Sequence, residues 1–205
     1  MPGAAVALVL TADEPGARRA AEELFPAAEN LRLTRQDLRP AAPFAGRLFT
    51  ILAAQPAGSR VGLVAPVVWR GAAACGGSAA PLKPSSARPP AGTLLAVSDH
   101  VNLELRGPLT GRWPAGLPRS FPPLTGIYQP ADVRARGGAR VYSSGVVVAG
   151  VADAGRLTPF EAGALREAGV FVVSDSLVPA AIVAAYYGLT LAACGVPPAD
   201  DHHEE

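Results

Sequence analysis

The feature that most constrains the fold is an alternation of apolar runs and helical segments over residues 143–196. An apolar run at residues 145–151 predicts a fully buried strand. The next segment, residues 158–169, predicts a short helix. Thr158 can cap its N-terminus, a proline follows at the first helical position, Glu161 lies three residues after the cap, and a glycine ends the segment.

The same alternation continues towards residue 196. Residues 170–173 predict a second buried strand, residues 174–179 a polar turn, residues 180–187 a helix and residues 189–194 a third strand. This spacing predicts two right-handed crossover units of a parallel sheet. Ligands of such sheets bind beyond the carboxyl ends of the strands, so the loops at residues 151–158, 174–179 and 195–200 are expected to line a site.

The rest of the chain supplies further elements of an α/β domain. An amphipathic helix is predicted at residues 14–25. The segments with strand character are residues 4–11, 31–38, 46–54, 60–68 and 93–98. The text QPAGS between two of these, residues 46–54 and 60–68, leaves no room for a helix and favours a hairpin. Residues 79–90 and 104–119 are predicted as loops, and residues 131–136 as a helical turn. The predicted fold is a three-layer α/β domain with a central mixed, mostly parallel sheet.

Composition limits the kind of protein. The chain has 205 residues, which predicts a single domain over residues 1–199 followed by a solvated tail at residues 200–205. A formal net charge of +1 argues against a nucleic-acid partner, and no apolar run reaches membrane-spanning length. The N-terminus carries no basic leader and the chain has only 2 cysteines, so a reducing cytoplasm is expected. No metal site or cofactor is expected.

Four segments carry a resemblance to a known family. They are AAACGG, SDHVNLELRGPLTG, LTPFEAGALREAG and VVSDSLVPAAIVAAYYGL, in that order between residues 72 and 189. They resemble successive segments of the purine nucleoside phosphorylases. The resemblance implies a nucleoside phosphorylase-like fold, a glycosyltransferase activity, a homotrimer, and a nucleoside, purine base or phosphate as ligand.

The resemblance places the phosphate site on three segments. It assigns phosphate contacts to the Arg47 side chain, the Ala74 amide and the Ser176 hydroxyl. The family's histidine and asparagine at this site are replaced here by Phe49 and Ala73. The expected phosphate site therefore has lost donors.

The loop after the first predicted strand is also unlike the family's. It reads LTADEPG where the family has a Gly-Ser-Gly loop that grips phosphate. Thr11 can donate a hydrogen bond, but Asp13 and Glu14 would repel phosphate at short range.

The base and sugar positions have changed as well. Leu157 stands where the family has a glutamate that binds the purine, and Asp200 is the nearest substitute for an asparagine that matches Ala199. Asp175 stands at the family's sugar-packing methionine, and Ala180 at a glutamate. Asp175 and Asp200 are the candidate catalytic residues.

Two further segments match the family more fully. Asp99, His100 and Asn102 keep an Asp-His-X-Asn pattern, which fits either an active-site triad or a hydrogen-bonded loop that holds the sheet end and a subunit contact. Phe121 matches an aromatic lid over the neighbouring subunit's site, and it equally fits a phenylalanine of the core or of an interface.

Three functions remain open from the sequence. The first is a purine nucleoside phosphorylase homologue whose phosphate and base sites are degraded, inactive or altered in activity. The second is a non-catalytic protein that binds a nucleoside or base, or serves in assembly. The third is a nucleoside hydrolase in which Asp175 or Asp153 activates water. The acidic loop after the first strand disfavours phosphate as co-substrate, and a hydrolase or a binding protein tolerates it.

Overall fold

A computed structural model of the chain describes residues 6–40, 44, 46–70, 89–90, 92–104, 107–111, 113, 115, 121–135 and 139–198. Several predicted features lie outside these residues. They are the AAACGG segment with Ala74, most of the proline-rich loop, Ala199, and the tail with Asp200.

The described residues form eight strands and five α-helices. The strands are β1 (Leu8–Ala12), β2 (Glu29–Leu33), β3 (Arg60–Pro66), β4 (Val68–Trp69), β5 (Thr93–Asn102), β6 (Arg140–Gly150), β7 (Val172–Ser174) and β8 (Thr190–Val196). The helices are α1 (Pro15–Leu24), α2 (Arg35–Leu38), α3 (Arg47–Ala53), α4 (Pro159–Glu167) and α5 (Leu177–Tyr186), with one 3₁₀ turn at Pro130–Asp132.

The strands form one sheet in the order β2-β1-β3-β8-β5-β6-β7-β4. Neighbours from β2 to β8 are parallel, and so are β5, β6 and β7. The two parallel groups meet in an antiparallel contact between β8 and β5, where Leu95 faces Gly195 and Ala96 faces Cys194. The predicted α/β class with a mixed, mostly parallel sheet is confirmed.

The sheet curls until its two sides meet. β4 follows β3 after the single residue Val67, and β4 pairs antiparallel with β7 at the far end of the strand order. The hydroxyl of Ser174 donates a 3.1 Å hydrogen bond to the carbonyl of Pro66 across this seam. The carboxyl ends of β3 and β7 therefore lie side by side.

Helix α5 packs against the curled sheet. Its buried residues are Leu177, Val178, Pro179, Ala180, Ala181, Val183 and Ala184. The helix contacts β3, β6 and β8 as well as α2 and α3. Its alanines and the glycine at the end of β6 let the helix axis approach the sheet closely. In the described parts of the chain, no helix is long and apolar enough to cross a membrane.

Two predictions at the heart of the crossover stretch are confirmed. Val148 of β6 pairs in parallel with Val172 of β7. Helix α4 begins with the expected capping box: the Thr158 hydroxyl accepts from the Glu161 amide, and the Glu161 carboxylate accepts from the Thr158 amide at 2.8 Å.

The prediction of a strand at residues 46–54 is wrong, because this segment is helix α3. Leu48, Phe49 and Leu52 are buried, which is the spacing of one helical face. The predicted hairpin with β3 does not form. The crossover helix, for which residues 55–59 leave no room, is formed by Arg47–Ala53. Residues 35–38 are also helical rather than extended, since Thr34 caps α2.

The prediction of a second parallel crossover, from β7 to β8, is also wrong. β8 does not pair with β7. It lies between β3, to which it is parallel, and β5, to which it is antiparallel. Both edges of β7 are already occupied, by β6 and β4, so α5 carries the chain across the sheet to the gap beside β3. Several boundaries shift as well: β6 begins at Arg140, α5 at Leu177, and β5 continues to Asn102.

We expect the close approach of α5 to β6 to be intolerant of any side chain at Gly150. A Cβ atom there would lie 2.7 Å from the Val178 Cβ, and overpacking of this kind costs about 1–3 kcal/mol. Gly163, in helix α4, is the matched control, because its nearest neighbour is 3.7 Å away at the Arg166 side chain. Gly163→Ala should stabilise by about 0.5–1 kcal/mol. Urea unfolding of the two variants measures both; a Gly150→Ala protein as stable as the parent would contradict the packing described.

Candidate functional site

A small cavity of about 210 Å³ lies where the carboxyl ends of β1, β3 and β7 meet. Its walls come from the turn after β1, the start of α2, the end of β3 and the start of α5. The lining residues are Ala12, Asp13, Glu14, Thr34, Arg35, Leu38, Pro66 and Ser176. Three charged side chains and one buried hydroxyl thus face a single cavity.

The hydroxyl of Ser174 holds the start of α5 in place. It accepts hydrogen bonds from the amides of Ser176 at 3.4 Å and Leu177 at 3.2 Å, and it donates to the Pro66 carbonyl. Ser174 is 1% exposed, so these bonds are made away from water. Losing a buried hydroxyl that serves three backbone groups would leave them unsatisfied, at a cost of about 1–3 kcal/mol each.

Asp175 is the centre of a group of charges beside the cavity. Its carboxylate forms an ion pair with the guanidinium of Arg35 and is 13% exposed. Partial burial, and then the negative charge of Asp175, raise the pKa of Glu14, while Arg35 opposes this rise.

A second ion pair, between Arg39 and Glu104, lies close enough to Asp175 to feel its charge. Arg39 donates to the Ala152 carbonyl at 2.7 Å and approaches the carboxylate of Glu104 at 3.4 Å. Burial raises the pKa of Glu104, Arg39 lowers it, and Asp175 raises it further. This pair joins α2 to the residues that follow β5 and β6.

Carboxylates outnumber cations among the described residues that line the cavity. The carboxylates are those of Asp13 and Glu14, and the cation is the guanidinium of Arg35, which already pairs with Asp175. The Arg18 guanidinium lies 4.0 Å from the Asp13 carboxylate, which is a long distance for an ion pair. No ion pair forms at Glu14 among the described residues, so its carboxylate carries the excess negative charge.

The hydroxyl of Ser176 is the unusual polar group of the site. Ser176 is 1% exposed and lines the cavity, and its hydroxyl has no hydrogen-bond partner among the residues that the structure describes. Thr11, which the sequence offered as a second donor, instead donates at 2.6 Å to Asn30 of β2. Only Ser176 remains as a free hydroxyl at the position that the resemblance assigns to phosphate.

The structure brings some predicted site residues together and separates others. Asp175 and Ser176 are adjacent at the cavity. Arg47 lies on α3, is 58% exposed and pairs with Asp37 at 3.5 Å, so it does not line the cavity. Leu157 packs in a separate apolar cluster with the buried side chains of Ala149, Val151, Ala154, Leu165, Val170 and Val173.

Two other predicted residues lie apart from the cavity. Asp153 pairs with Arg156 at 3.3 Å, and Phe121 is 76% exposed. Phe121 therefore does not belong to the core of its own chain.

The Asp-His-X-Asn pattern lies on strand β5 rather than in a loop. Asp99 accepts from the His100 amide at 2.8 Å, and Asn102 accepts from the Glu104 amide at 3.0 Å. His100 Nδ1 and the Tyr128 hydroxyl share a hydrogen bond of 3.0 Å. Burial raises the pKa of Tyr128 and lowers that of His100, and Asp99 partly opposes the latter. These bonds hold the strand end, as in the structural interpretation of the pattern.

Three charged residues of the site were missed by the sequence reasoning: Arg35, Arg39 and Glu104. The available signal was local. Thr34 and Asp37 form a capping box, so a short helix beginning at Arg35 was predictable from the text TRQD. Nothing in the sequence indicates that this helix lies beside Asp175.

A larger cleft adjoins the small cavity and shares Glu14 and Pro66 with it. The cleft has a volume of about 810 Å³ and lies between α1, the ends of β3 and β8, and the starts of β5 and β6. Most of its walls are apolar, including Ala17, Ala20, Val67, Leu94, Val196, Pro197 and Pro198. The loop after β8 thus lines this cleft rather than the small cavity.

Comparison with known proteins gave matches among solved structures. The purine nucleoside phosphorylase of Schistosoma mansoni in complex with BCX-34 is 17% identical, with a TM-score of 0.48, over 70% of this chain and 53% of that one. The schistosoma enzyme with hypoxanthine is 22% identical, with a TM-score of 0.47, over 72% and 55%. Both solved structures are of purine nucleoside phosphorylases.

This is the family that the sequence motifs resemble. The chain spans about half the length of the solved structures that it matches. No protein-family model matches the sequence, and neither does any curated protein.

We expect His100 to make stability depend on pH. Its pKa is lowered in the folded protein, so the unfolded chain takes up the proton first as the pH falls below about 6.5. The stability contributed by neutral His100 is complete above that value and is lost as the pH falls towards the lower folded pKa. Urea unfolding at several pH values should show this loss in the parent protein and a weaker loss in His100→Gln.

The comparison isolates one group, because the other two histidines are at residues 202 and 203 in the tail. The raised pKa values of Glu14 and Glu104 act in the opposite direction and are present in both proteins. Identical pH dependence in parent and variant would contradict the burial of His100.

Proposed function

We propose that this protein is a divergent homologue of the purine nucleoside phosphorylases that does not catalyse phosphorolysis at an appreciable rate. The observation that carries the proposal is the charge around Ser176. At the position that the resemblance assigns to phosphate, the described residues place the carboxylates of Glu14 and Asp13, with Asp175 beside them.

The cation at this cavity is already engaged. Arg35 is the one arginine among the lining residues, and it is paired with Asp175. A phosphate dianion at Ser176 would have to break the Arg35–Asp175 ion pair or lie close to the Glu14 carboxylate. Either makes the free energy of phosphate binding less favourable. Arg47, the expected phosphate ligand, lies outside the cavity wall.

The expected base contact is lost for a different reason. Leu157 offers no hydrogen bond, and it packs against an apolar cluster. A purine that develops negative charge gains no preorganised donor from Leu157, and each lost donor typically costs a hundredfold or more in rate.

A hydrolase remains the alternative, since water needs no anion site. The Glu14 carboxyl lies close enough to Asp175 for the charge of Asp175 to raise its pKa, and neighbouring carboxyl groups can do general acid and base work on water.

We expect phosphorolysis of inosine and guanosine to be at least about a thousandfold slower than the usual enzyme rate of about 10 per second. The measurement is release of hypoxanthine or guanine by the purified protein, with and without phosphate. Phosphate-dependent turnover near 10 per second would refute the proposal.

Turnover that is independent of phosphate would select the hydrolase instead. Asp175→Asn should then abolish it, and Asp153→Asn is the matched control, because Asp153 pairs with Arg156 away from the cavity.

We further propose that the protein is a cytoplasmic homotrimer, as the resemblance implies. The support is three exposed large apolar side chains. Phe121 is 76% exposed, and Val101 and Leu103 at the end of β5 are 37% and 47% exposed. Aromatic side chains are enriched at subunit interfaces relative to the rest of the protein surface.

We expect light scattering coupled to gel filtration to give a mass of about three chains at micromolar concentration. Phe121→Asp should lower that mass, because burying a carboxylate at an interface is strongly unfavourable. Phe160→Asp is the control, since Phe160 is 85% exposed on α4, outside the segments that the resemblance places at the interface. A monomeric parent protein would refute the trimer.

A further inference from the structure

The small cavity and the larger cleft share Glu14 and Pro66 in their walls, and the rest of their walls differ in character. We propose that together they bind an organic amine, with its ammonium group against Glu14 and the Ser176 hydroxyl and its apolar body in the cleft. The inference rests on the proposed function, in which phosphate does not occupy the small cavity.

The first step of the argument is charge. The small cavity is lined by the carboxylates of Asp13 and Glu14 and by the guanidinium of Arg35, which is already paired with Asp175, so Glu14 has no ion pair among the described residues. The cleft adds Arg19 and Glu23, which pair with each other at 2.9 Å, and Arg140. A monocation held in the small cavity would lie against unpaired negative charge at Glu14, whereas an anion there would be repelled by both carboxylates.

The second step is the buried hydroxyl of Ser176. A polar group that is buried without a partner destabilises the folded protein, and a ligand that supplies the partner recovers that free energy. A hydroxyl oxygen accepts hydrogen bonds, as the Glu14 carboxylate does, and an ammonium group has three donors and no acceptor. The two oxygens therefore suit an N–H donor.

The third step is size. At about 210 Å³, the small cavity is below the roughly 300 Å³ at which pockets for drug-sized ligands begin. It has room for a polar head group, and a whole nucleoside would have to extend beyond it. The adjoining cleft of about 810 Å³ offers apolar walls for the remainder, with Val67, Leu94 and Val196 among them.

The cleft decides between kinds of cation. A divalent metal ion would interact about twice as strongly as an ammonium group with the carboxylates and with Arg35 alike, so charge alone does not select either. Burial of an apolar body in the cleft adds affinity that a bare ion lacks.

The test uses three molecules of matched shape, benzylamine, benzyl alcohol and benzoate, with the full-length protein at neutral pH. Isothermal titration calorimetry gives the affinities. We expect benzylamine to bind at least about tenfold more tightly than benzyl alcohol, because the ammonium makes charge-assisted hydrogen bonds. Benzoate should bind more weakly than either.

Two variants and one control locate the binding. Glu14→Gln should weaken benzylamine at least about tenfold and leave benzyl alcohol unchanged. Ser176→Ala should also weaken benzylamine, while it raises the unfolding midpoint of the free protein, because the unpartnered hydroxyl is removed. Glu22→Gln is the control, since Glu22 is an exposed carboxylate on the same helix that lines neither cavity.

Several results would overturn the inference. They are absence of benzylamine binding, equal affinity for benzyl alcohol, tighter binding of benzoate, inorganic phosphate or Mg²⁺, and equal effects of Glu14→Gln and Glu22→Gln. Its failure is distinguishable from failure of the proposed function. A protein that neither binds benzylamine nor turns over inosine overturns only the amine site, whereas phosphate-dependent turnover refutes the proposed function whatever the amine result.

Discussion

The antiparallel contact between β8 and β5 is the constraint on which the rest of the structure depends. It joins two groups of parallel strands that run in opposite senses, through the pairs Leu95–Gly195 and Ala96–Cys194. Because the strand direction reverses there, a flat sheet would have the carboxyl end of β3 at one end of its strands and that of β7 at the other. The curl through β4 brings them together, and the Ser174 hydroxyl fastens the seam.

The chemistry of the site follows from this closure. Residues from β1, α2, β3 and α5 surround one cavity only because the seam places the start of α5 beside the turn after β1. The closure presents Asp13 and Glu14 to the cavity, with Asp175 beside them.

Sequence reasoning succeeded where the signal is local. The capping box of α4 and the parallel pairing of β6 with β7 depend on neighbouring residues and on a short crossover. It failed where the outcome depends on distant segments: α3 resembled a strand because its buried face is short and β-branched residues surround it. The pairing of Arg35 with Asp175 joins residues 140 positions apart, which no local pattern indicates. The single-domain boundary at residue 199 stays a prediction.

The central position of β8 has a consequence for how the protein is made. β3 and β5 are both complete by residue 102, yet the strand that lies between them ends at Val196. At ribosomal rates of about 5–20 residues per second, their facing edges stay unpaired for on the order of ten seconds. Open strand edges pair readily with other chains. The nascent polypeptide is thus most prone to aggregate shortly before its synthesis reaches β8.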